Sequence, residues 1–287
     1  MLIVCIKRLL LRHLFAFKDL YQWWLMPNVC LGCGEINIGN AVDGKTKNCN
    51  DKECFLRQMF FCQRCIGAID KNVITNGCCE KCGYPIIKEN FLDKDKRCQS
   101  CKEYKPIFNI SRSCYCYRGV IRRMLLNFKF YSAYDGLRFF GKSMYEKYTS
   151  QLKKADYVCF VPITKKKLFF KGFNHACELA KIFCKIAKQH NENFLLLYDF
   201  VVKTNTTQSS KTMHQQDRLL KKHCFQINDK YLISGNSDYV NLNYKTVLII
   251  DDIMTTGGTL NAMAKIIKHH FPQCKIECLT FARTMLW

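Results

Sequence analysis

The sequence predicts an α/β protein in which a parallel sheet is flanked by helices and preceded by a small cysteine-rich region. Cysteine is unevenly placed, since fourteen of the 20 cysteines come before residue 117. After that point, apolar residues recur at helical spacing in some segments and form short buried-strand runs in others. The alternation of these two patterns is typical of an α/β domain.

Composition and charge narrow the class of protein. The chain has 287 residues, 48% of them hydrophobic and 13% aromatic, so it holds enough apolar surface for a core and is not a disordered polybasic arm. Its 45 basic and 23 acidic residues give a formal net charge of +22. That charge suits a nucleic-acid backbone. The alternative is an evenly spread lysine-rich surface, because no long basic run marks a groove.

The first 28 residues predict an amphipathic N-terminal helix. They mix apolar and basic side chains, without the uninterrupted apolar stretch and small-residue cleavage site of an export signal. A membrane-surface helix is the alternative, since Trp23 and Trp24 accompany basic residues. No apolar run in the chain approaches the roughly 20 residues of a membrane span. We therefore expect a cytoplasmic protein with no transmembrane segment.

Four Cys-x-x-Cys pairs indicate metal binding. Two thiolates two residues apart can hold one tetrahedral zinc ion, and two such knuckles complete the site. A reducing cytoplasm favours this interpretation over disulfides. We predict structural zinc at these ligands: Cys30, Cys33, Cys62, Cys65, Cys79, Cys82, Cys98 and Cys101.

An internal repeat divides the pairs into two zinc ribbons. The first knuckle of each ribbon is followed by a glycine, Gly34 or Gly83, which permits a left-handed turn. The second ribbon has the usual C-x2-C-x15-C-x2-C spacing. The first has 28 residues between its knuckles, and this insertion carries Cys49 and Cys54, either of which could substitute as a ligand. The number of zinc ions, one or two, stays open.

The remaining patterns predict the elements of the α/β domain. Cys114 and Cys116 alternate as in a strand and are not predicted to be ligands. The polar segment 203–217 is expected to be a mobile loop that can close over a site. Helices are predicted around 120–128 and over 137–152, 174–188 and 259–270, and strands over 157–161, 246–250 and 275–281.

The most specific stretch is a buried strand that delivers two acidic residues to a small-residue loop and a helix. Ligands bind at this edge of open α/β sheets. The loop amides and the helix N-terminus attract a phosphate, and Gly257 and Gly258 allow close backbone approach. Asp251 and Asp252 would repel that phosphate, so they are predicted to face a ribose diol, with Mg²⁺ nearby.

This stretch resembles the signature loop of type I phosphoribosyltransferases, which bind 5-phosphoribosyl-1-pyrophosphate (PRPP). The resemblance implies the fold of that family for the parallel sheet. It implies that the catalytic residues Asp251 and Asp252 contact the ribose hydroxyls, and that the 5-phosphate is held by Thr255, Thr256, Gly257, Gly258 and Thr259.

Further motifs resemble the ComF/GntX family, which joins a zinc-binding region to such a domain and implies a role in DNA uptake during natural transformation. The motifs are Tyr117-Arg118-Gly119, Asn127-Phe128-Lys129-Phe130, Val161-Pro162, Lys171-Gly172-Phe173-Asn174 and Thr207-Gln208 with Arg218. The resemblance implies pyrophosphate binding by Pro162, Lys171 and Gly172. Lys171 replaces the usual arginine, and the asparagine expected after Arg218 is not evident.

These observations predict three regions: an N-terminal helix (1–28), a cysteine-rich zinc region (29–116) and a PRPP-binding domain (117–287). We expect a competence protein that transfers phosphoribosyl to an unknown acceptor, with PRPP, magnesium and zinc as ligands. The alternative is a non-catalytic, PRPP-sensing scaffold that binds single-stranded DNA. Other DNA-uptake proteins are possible partners.

Overall fold

A computed structural model describes seven stretches of the chain: residues 30–35, 60–75, 77–85, 96–131, 134–152, 155–204 and 225–285. The predicted N-terminal helix, Cys49, Cys54 and most of the predicted mobile loop lie outside these residues. The chain divides into two compact units, Met1–Ala68 and Ile69–Trp287. Among the described residues, no helix is long and apolar enough to cross a membrane.

The described helices and strands follow the predicted α/β pattern. The helices are α1 (Gln63–Asp70), α2 (Gln99–Tyr104), α3 (Gly119–Tyr131), α4 (Tyr134–Gln151), α5 (Lys165–Lys171), α6 (His175–Gln189) and α7 (Gly258–His270), with a short 3-10 turn at Asp229–Tyr231. The strands are β1 (Ile110–Cys116), β2 (Tyr157–Phe160), β3 (Leu195–Leu196), β4 (Val201–Lys203), β5 (Phe225–Ile227), β6 (Thr246–Met254) and β7 (Lys275–Arg283).

Five strands form a parallel sheet in the order β1-β7-β6-β2-β3. The central strand, β6, is buried from Thr246 to Ile250, as an apolar run covered on both faces requires. The prediction of a parallel sheet flanked by helices is confirmed. Separately, β4 and β5 pair as an antiparallel ribbon, and the predicted mobile loop from residue 205 onward connects these two strands.

The predicted end of the strand that carries the acidic residues differs from the structure. Strand β6 continues to Met254 because its pairing with β7 extends to Met254 and Arg283, so Asp251 and Asp252 lie within the strand rather than after it. Strand β1 contains Cys114 and Cys116, as their alternation predicts, and it pairs with β7 in the main sheet. The boundary at 116/117 stays a prediction about independent folding, whereas compactness groups residues 69–116 with the sheet.

An aromatic cluster fills one side of the sheet. Phe281 of β7 is fully buried, and its ring centroid lies 4.2 Å from that of Phe140 and 5.0 Å from that of Tyr115. Phe140 in turn packs edge-to-face against Phe128 of α3. The cluster therefore joins two strands to helices α3 and α4.

Replacing Phe281 by alanine should lower the free energy of unfolding by about 3–5 kcal/mol, because the truncation leaves a cavity among rings that cannot all move inward. Denaturant unfolding followed by circular dichroism measures the change. Tyr244→Ala is the control, since Tyr244 is exposed and its truncation should change stability by less than about 0.5 kcal/mol. Equal effects of the two substitutions would contradict the placement of the core.

Candidate phosphoribosyl site and cysteine centres

The candidate phosphoribosyl site lies at the carboxyl end of β6. Asp251 and Asp252 are half-buried, and the backbone N–H of Asp252 donates to Asp251 Oδ1 over 2.9 Å. Successive side chains of a strand point to opposite faces, so the two carboxylates leave the sheet in different directions. The two acidic residues therefore offer separate contacts to a ligand at this edge.

A short loop connects this strand to α7. Gly257 has φ of +83° and occupies the N-cap position. Because glycine has no side chain, the N-cap residue itself supplies no capping oxygen to the first turn of the helix. The N–H of Gly258 donates to Thr256 Oγ1 over 3.4 Å, while Thr255 and Thr259 are exposed. An uncapped helix N-terminus beside hydroxyl groups can receive an anion. The role of this loop as a phosphate site stays a prediction.

Met254 lies beneath this loop. A Cβ atom at Gly257 would lie 2.5 Å from Met254 Cε, so glycine is needed there for space as well as for φ. The buried Met254 Sδ accepts hydrogen bonds from Ser111 Oγ at 3.2 Å and from Arg283 Nη1 at 3.0 Å. Side chains of two other strands therefore position the residue on which the loop rests.

Arg283 connects Met254 to the second cysteine cluster, which consists of Cys79, Cys82, Cys98 and Cys101. Its side chain is almost fully buried, and Nη1 also donates to the carbonyl oxygen of Cys82 over 2.6 Å. The guanidinium carbon lies 5.2 Å from the ring centroid of Tyr84, within cation–π range. Sequence reasoning missed Arg283, and the available signal was a basic residue at the end of a strand-like segment, β7.

The predicted pyrophosphate residues lie in the segment that follows β2, the strand next to β6. Pro162 is buried two residues after the end of β2, next to β6, because the N–H of Val161 donates to the carbonyl of Ile250 at 3.0 Å. Lys171 is exposed at the end of α5. Gly172 has φ of +77° and donates its N–H to Leu168 O, which ends that helix.

Asn174 closes the segment between β2 and α6. Its Nδ2 donates to the carbonyl of Val161 over 2.9 Å, and its Oδ1 accepts the N–H of Ala176 over 3.1 Å, which caps α6. The two bonds tie the start and the end of the segment together. The Gly-Phe-Asn motif is therefore a structural clasp at the carboxyl edge of the sheet.

Two groups of cysteines could each hold a metal ion. In each group the four Sγ atoms lie within 4.8 Å of one another. The groups are Cys30, Cys33, Cys62 and Cys65, and Cys79, Cys82, Cys98 and Cys101. Four soft thiolate donors at this spacing fit a tetrahedral zinc ion. The predicted pairing of the knuckles is confirmed, and the first group is complete without Cys49 or Cys54.

The first knuckles of the two groups repeat the same backbone bonds. The N–H of Gly34 donates to the carbonyl of Cys30, and that of Gly83 to the carbonyl of Cys79, each over 2.8 Å. Both glycines have positive φ, +78° and +69°. At Gly83 a Cβ atom would lie 2.7 Å from the carbonyl oxygen of Ser111, so this knuckle also needs glycine to approach β1. The repeat inferred from sequence is a repeat in structure.

Hydrogen bonds within the second cluster divide its thiols into two kinds. Bonds from Cys101, Cys82 and Cys98 hold the pKa of Cys79 far below its ordinary value. The bond from Cys101 likewise lowers the pKa of Cys98 to about 6. The pKa of Cys101 is raised, chiefly by its bond to Cys79. Backbone N–H groups of Cys82 and Cys98 also donate to Cys79 Sγ, so Cys79 and Cys98 favour thiolate, the form that binds metal, whereas the pKa values of Cys82 and Cys101 are raised.

Comparison with known proteins agrees with this arrangement. The family model described as "Phosphoribosyl transferase domain" matches residues 170–285, which contain β6, the loop and α7. Residues 170–285 are thus similar to a phosphoribosyltransferase domain. A hypoxanthine phosphoribosyltransferase from Staphylococcus aureus is 15% identical, with a TM-score of 0.29 over 52% of this chain and 73% of that one. The fold assignment rests on the strand order and the family match.

Two relatives resemble most of the chain. Competence protein ComFC of Bacillus subtilis is 22% identical over 230 residues, which cover 78% of this chain and 84% of the relative. Competence protein F of Haemophilus influenzae is 24% identical over 223 residues, which cover 73% and 91%. The ComF resemblance predicted from the sequence is confirmed.

Some predicted site residues are not described. Thr207, Gln208 and Arg218 lie outside the described residues, as does most of the predicted mobile loop over 203–217. Cys159, Cys274 and Cys278 are buried, whereas Cys177 and Cys184 are half-buried. The ligand roles of the phosphoribosyl and cysteine residues stay predictions.

Gly257→Ala should lower the free energy of unfolding by about 1–2 kcal/mol, because alanine at positive φ is strained and its methyl group meets the end of Met254. Chemical denaturation measures the loss. Gly258→Ala is the matched control, since its Cβ would lie 3.5 Å from the nearest atom, Thr256 Oγ1. Similar stability of both variants would show that the loop does not take this conformation.

Metal binding at the second cluster should slow hydrogen exchange in the loop from Thr255 to Thr259, the predicted phosphate loop. We expect two zinc equivalents in the purified protein by plasma mass spectrometry, and one in Cys33→Ser or in Cys101→Ser. Hydrogen exchange in peptides covering 246–260 should accelerate in Cys101→Ser because the bond from Arg283 to Cys82 loosens. Cys33→Ser is the control, as it belongs to the other compact unit. Unchanged exchange in Cys101→Ser would exclude this coupling.

Proposed function

We propose that the chain binds PRPP at the carboxyl end of β6 and transfers its phosphoribosyl group to an acceptor. The observation that carries the proposal is the passage from a buried strand with two acidic residues, through a glycine loop, to a helix without a side-chain cap. This passage lies within the stretch that the family model matches. The loop from Thr255 to Thr259 would hold the 5-phosphate.

The acidic residues would bind the ribose. Carboxylates accept hydrogen bonds from vicinal hydroxyls, and Asp251 and Asp252 lie one and two residues beyond Ile250, where β2 and β6 still pair. A magnesium ion with oxygen ligands would supply charge stabilisation to the pyrophosphate. In the proposed arrangement the ribose would lie between the 5-phosphate at α7 and the leaving group near β2.

The leaving group would lie against the segment after β2. The turn at Pro162 adjoins β6, and Lys171 and Gly172 follow on the same clasped segment. In the transfer, a lone pair of the acceptor forms a bond to the anomeric carbon. The C–O bond to pyrophosphate breaks with its electron pair on the leaving oxygen, and the acceptor loses a proton. A lysine can balance the charge of that oxygen, although it lacks the forked donor of arginine.

The biological setting proposed is DNA uptake. Both relatives are named as competence proteins and cover most of the chain. A net charge of +22 is compatible with work beside nucleic acid, and we place the protein in the cytoplasm, where thiolate zinc centres persist. Zinc at both cysteine groups would be structural, because four protein ligands leave no open position.

Asp251→Asn and Asp252→Asn should each weaken PRPP binding at least tenfold in calorimetric titrations with Mg²⁺, because each removes a charged acceptor for a ribose hydroxyl. Asp156→Asn is the matched control: Asp156 accepts the N–H of Thr246 at the opposite end of β6 and should not affect affinity. Wild-type protein, folded and zinc-loaded, that binds no PRPP would refute the proposal.

A second measurement separates transfer from sensing. Pyrophosphate release from PRPP, followed with purine, pyrimidine and nucleotide acceptors, should occur with one of them and disappear in Asp252→Asn. PRPP binding without release across all three classes would favour the PRPP-sensing scaffold.

A further inference from the structure

Helix α5 is exposed along its whole length. None of its seven residues is buried, and Phe169 and Phe170 are 81% and 74% exposed. Their ring centroids lie 5.8 Å apart with an interplanar angle of 81°. Two neighbouring phenylalanines on a folded surface leave about 1.5–3 kcal/mol each of burial free energy unrealised. An exposed aromatic pair of this kind indicates an interaction surface.

Lysines surround this pair. Lys165, Lys166, Lys167 and Lys171 are all exposed, and none of them forms an ion pair with a carboxylate in the described part of the chain. Seven consecutive residues therefore present four cations and two aromatic faces. This combination provides both components of single-strand recognition, backbone phosphates for the lysines and base faces for the rings.

The helix is held firmly, so its exposure is built into the fold. Thr164 caps it by accepting the N–H of Lys167 over 3.3 Å, and Gly172 ends it in the left-handed conformation. Asn174 then ties the segment back to Val161 at the end of β2. A rigid platform loses little conformational entropy when a ligand binds.

We propose that α5 is a binding platform for single-stranded nucleic acid, in which Phe169 and Phe170 stack on bases while Lys165, Lys166 and Lys167 contact phosphates. The recognition is independent of sequence, because every base has a face to stack on. The inference rests on the proposed role in DNA uptake and gives it a surface.

The shape of α5 favours a single strand over a bilayer or a second copy of the chain. The helix is about 10 Å long, shorter than membrane-surface helices. Its two rings are adjacent in sequence and so point about 100° apart, which gives no continuous apolar stripe. Stacking needs individual rings, and the four cations, which form no ion pair within the described stretches, complement a polyanion.

The experiment titrates the full zinc-loaded chain into a fluorescent 20-nucleotide oligo(dT) and follows anisotropy at several salt concentrations. Phe169→Ala/Phe170→Ala should weaken binding at least about tenfold with an unchanged salt slope, because stacking is lost and phosphate contacts remain. Lys165→Gln/Lys166→Gln/Lys167→Gln should flatten the slope of log affinity against log salt by about 2, at about 0.7 for each phosphate contact.

Two exposed tyrosines serve as matched controls. Tyr244→Ala removes a ring as exposed as Phe169 from a distant loop, and Tyr104→Ala removes one at the end of α2 beside the second cysteine cluster. Both should bind oligo(dT) as wild type. An affinity loss in Tyr104→Ala equal to that of the double phenylalanine variant would move the site to the cysteine cluster and overturn the inference.

Other outcomes also overturn it. Unchanged oligo(dT) affinity in the phenylalanine variant would do so, as would binding of the wild type to phosphatidylserine vesicles but not to oligo(dT). A wild-type dimer that the same variant converts to monomer in sedimentation velocity would assign α5 to self-association. PRPP titration of the variant keeps the two proposals distinct, because affinity for PRPP should persist when affinity for oligo(dT) falls.

Discussion

The buried guanidinium of Arg283 is the interaction on which the site region depends. A charged group removed from water must be hydrogen-bonded, since an unpaired buried charge is strongly destabilising. Arg283 meets this requirement in part: Nη1 donates to the Cys82 carbonyl and to Met254 Sδ and the guanidinium face lies on Tyr84, while the buried Nε has no hydrogen-bond partner among the described residues. One side chain thus fixes the distance between a cysteine knuckle and the strand end under the phosphate loop. The second cysteine cluster is consequently part of the sheet unit.

The knuckle formed by Cys79 to Gly83 also covers part of the sheet edge. Strand β1 is an edge strand, and an unpaired edge is prone to association with other chains. The N–H of Ser111 donates to the carbonyl of Lys81 over 2.8 Å, so the knuckle occupies part of that edge. This close approach requires Gly83, where any Cβ would collide with the Ser111 backbone. One short turn therefore carries two candidate metal ligands, covers part of the sheet edge and, through the bond from Arg283 to Cys82 O, contacts the residue that supports Met254.

Periodicity predicted much of the fold, and local chemistry predicted the places of the candidate sites. The helices of α6 and α7 and the apolar run of β6 were predicted because their patterns are long and regular. The short helix α5 was not predicted, because its three consecutive lysines are also typical of a solvent-exposed surface segment. Arg283 could not be assigned a role because its partners lie about 200 and 30 residues away in sequence, and no local pattern encodes such contacts. The sequence predicts that the strand ends at Ile250, before Asp251 and Asp252, because acidic residues have a low propensity for strands. Pairing with β7 extends the strand beyond them, and this pairing is not visible in the local sequence.

The carboxyl edge of the sheet brings two kinds of chemistry to neighbouring strands. Strand β6 delivers carboxylates and an uncapped helix N-terminus, which suit a sugar phosphate, while β2 leads into a helix of lysines and aromatic rings. The bond from Val161 to Ile250 and the clasp of Asn174 on Val161 fix α5 to the strand beside Asp251. A polyanion on α5 and a phosphate at the α7 loop would therefore be held by one rigid edge. Both ligands are anionic, so they would repel each other. The lysines of α5 would reduce this repulsion, and Lys171 is the lysine of α5 nearest in sequence to Asn174.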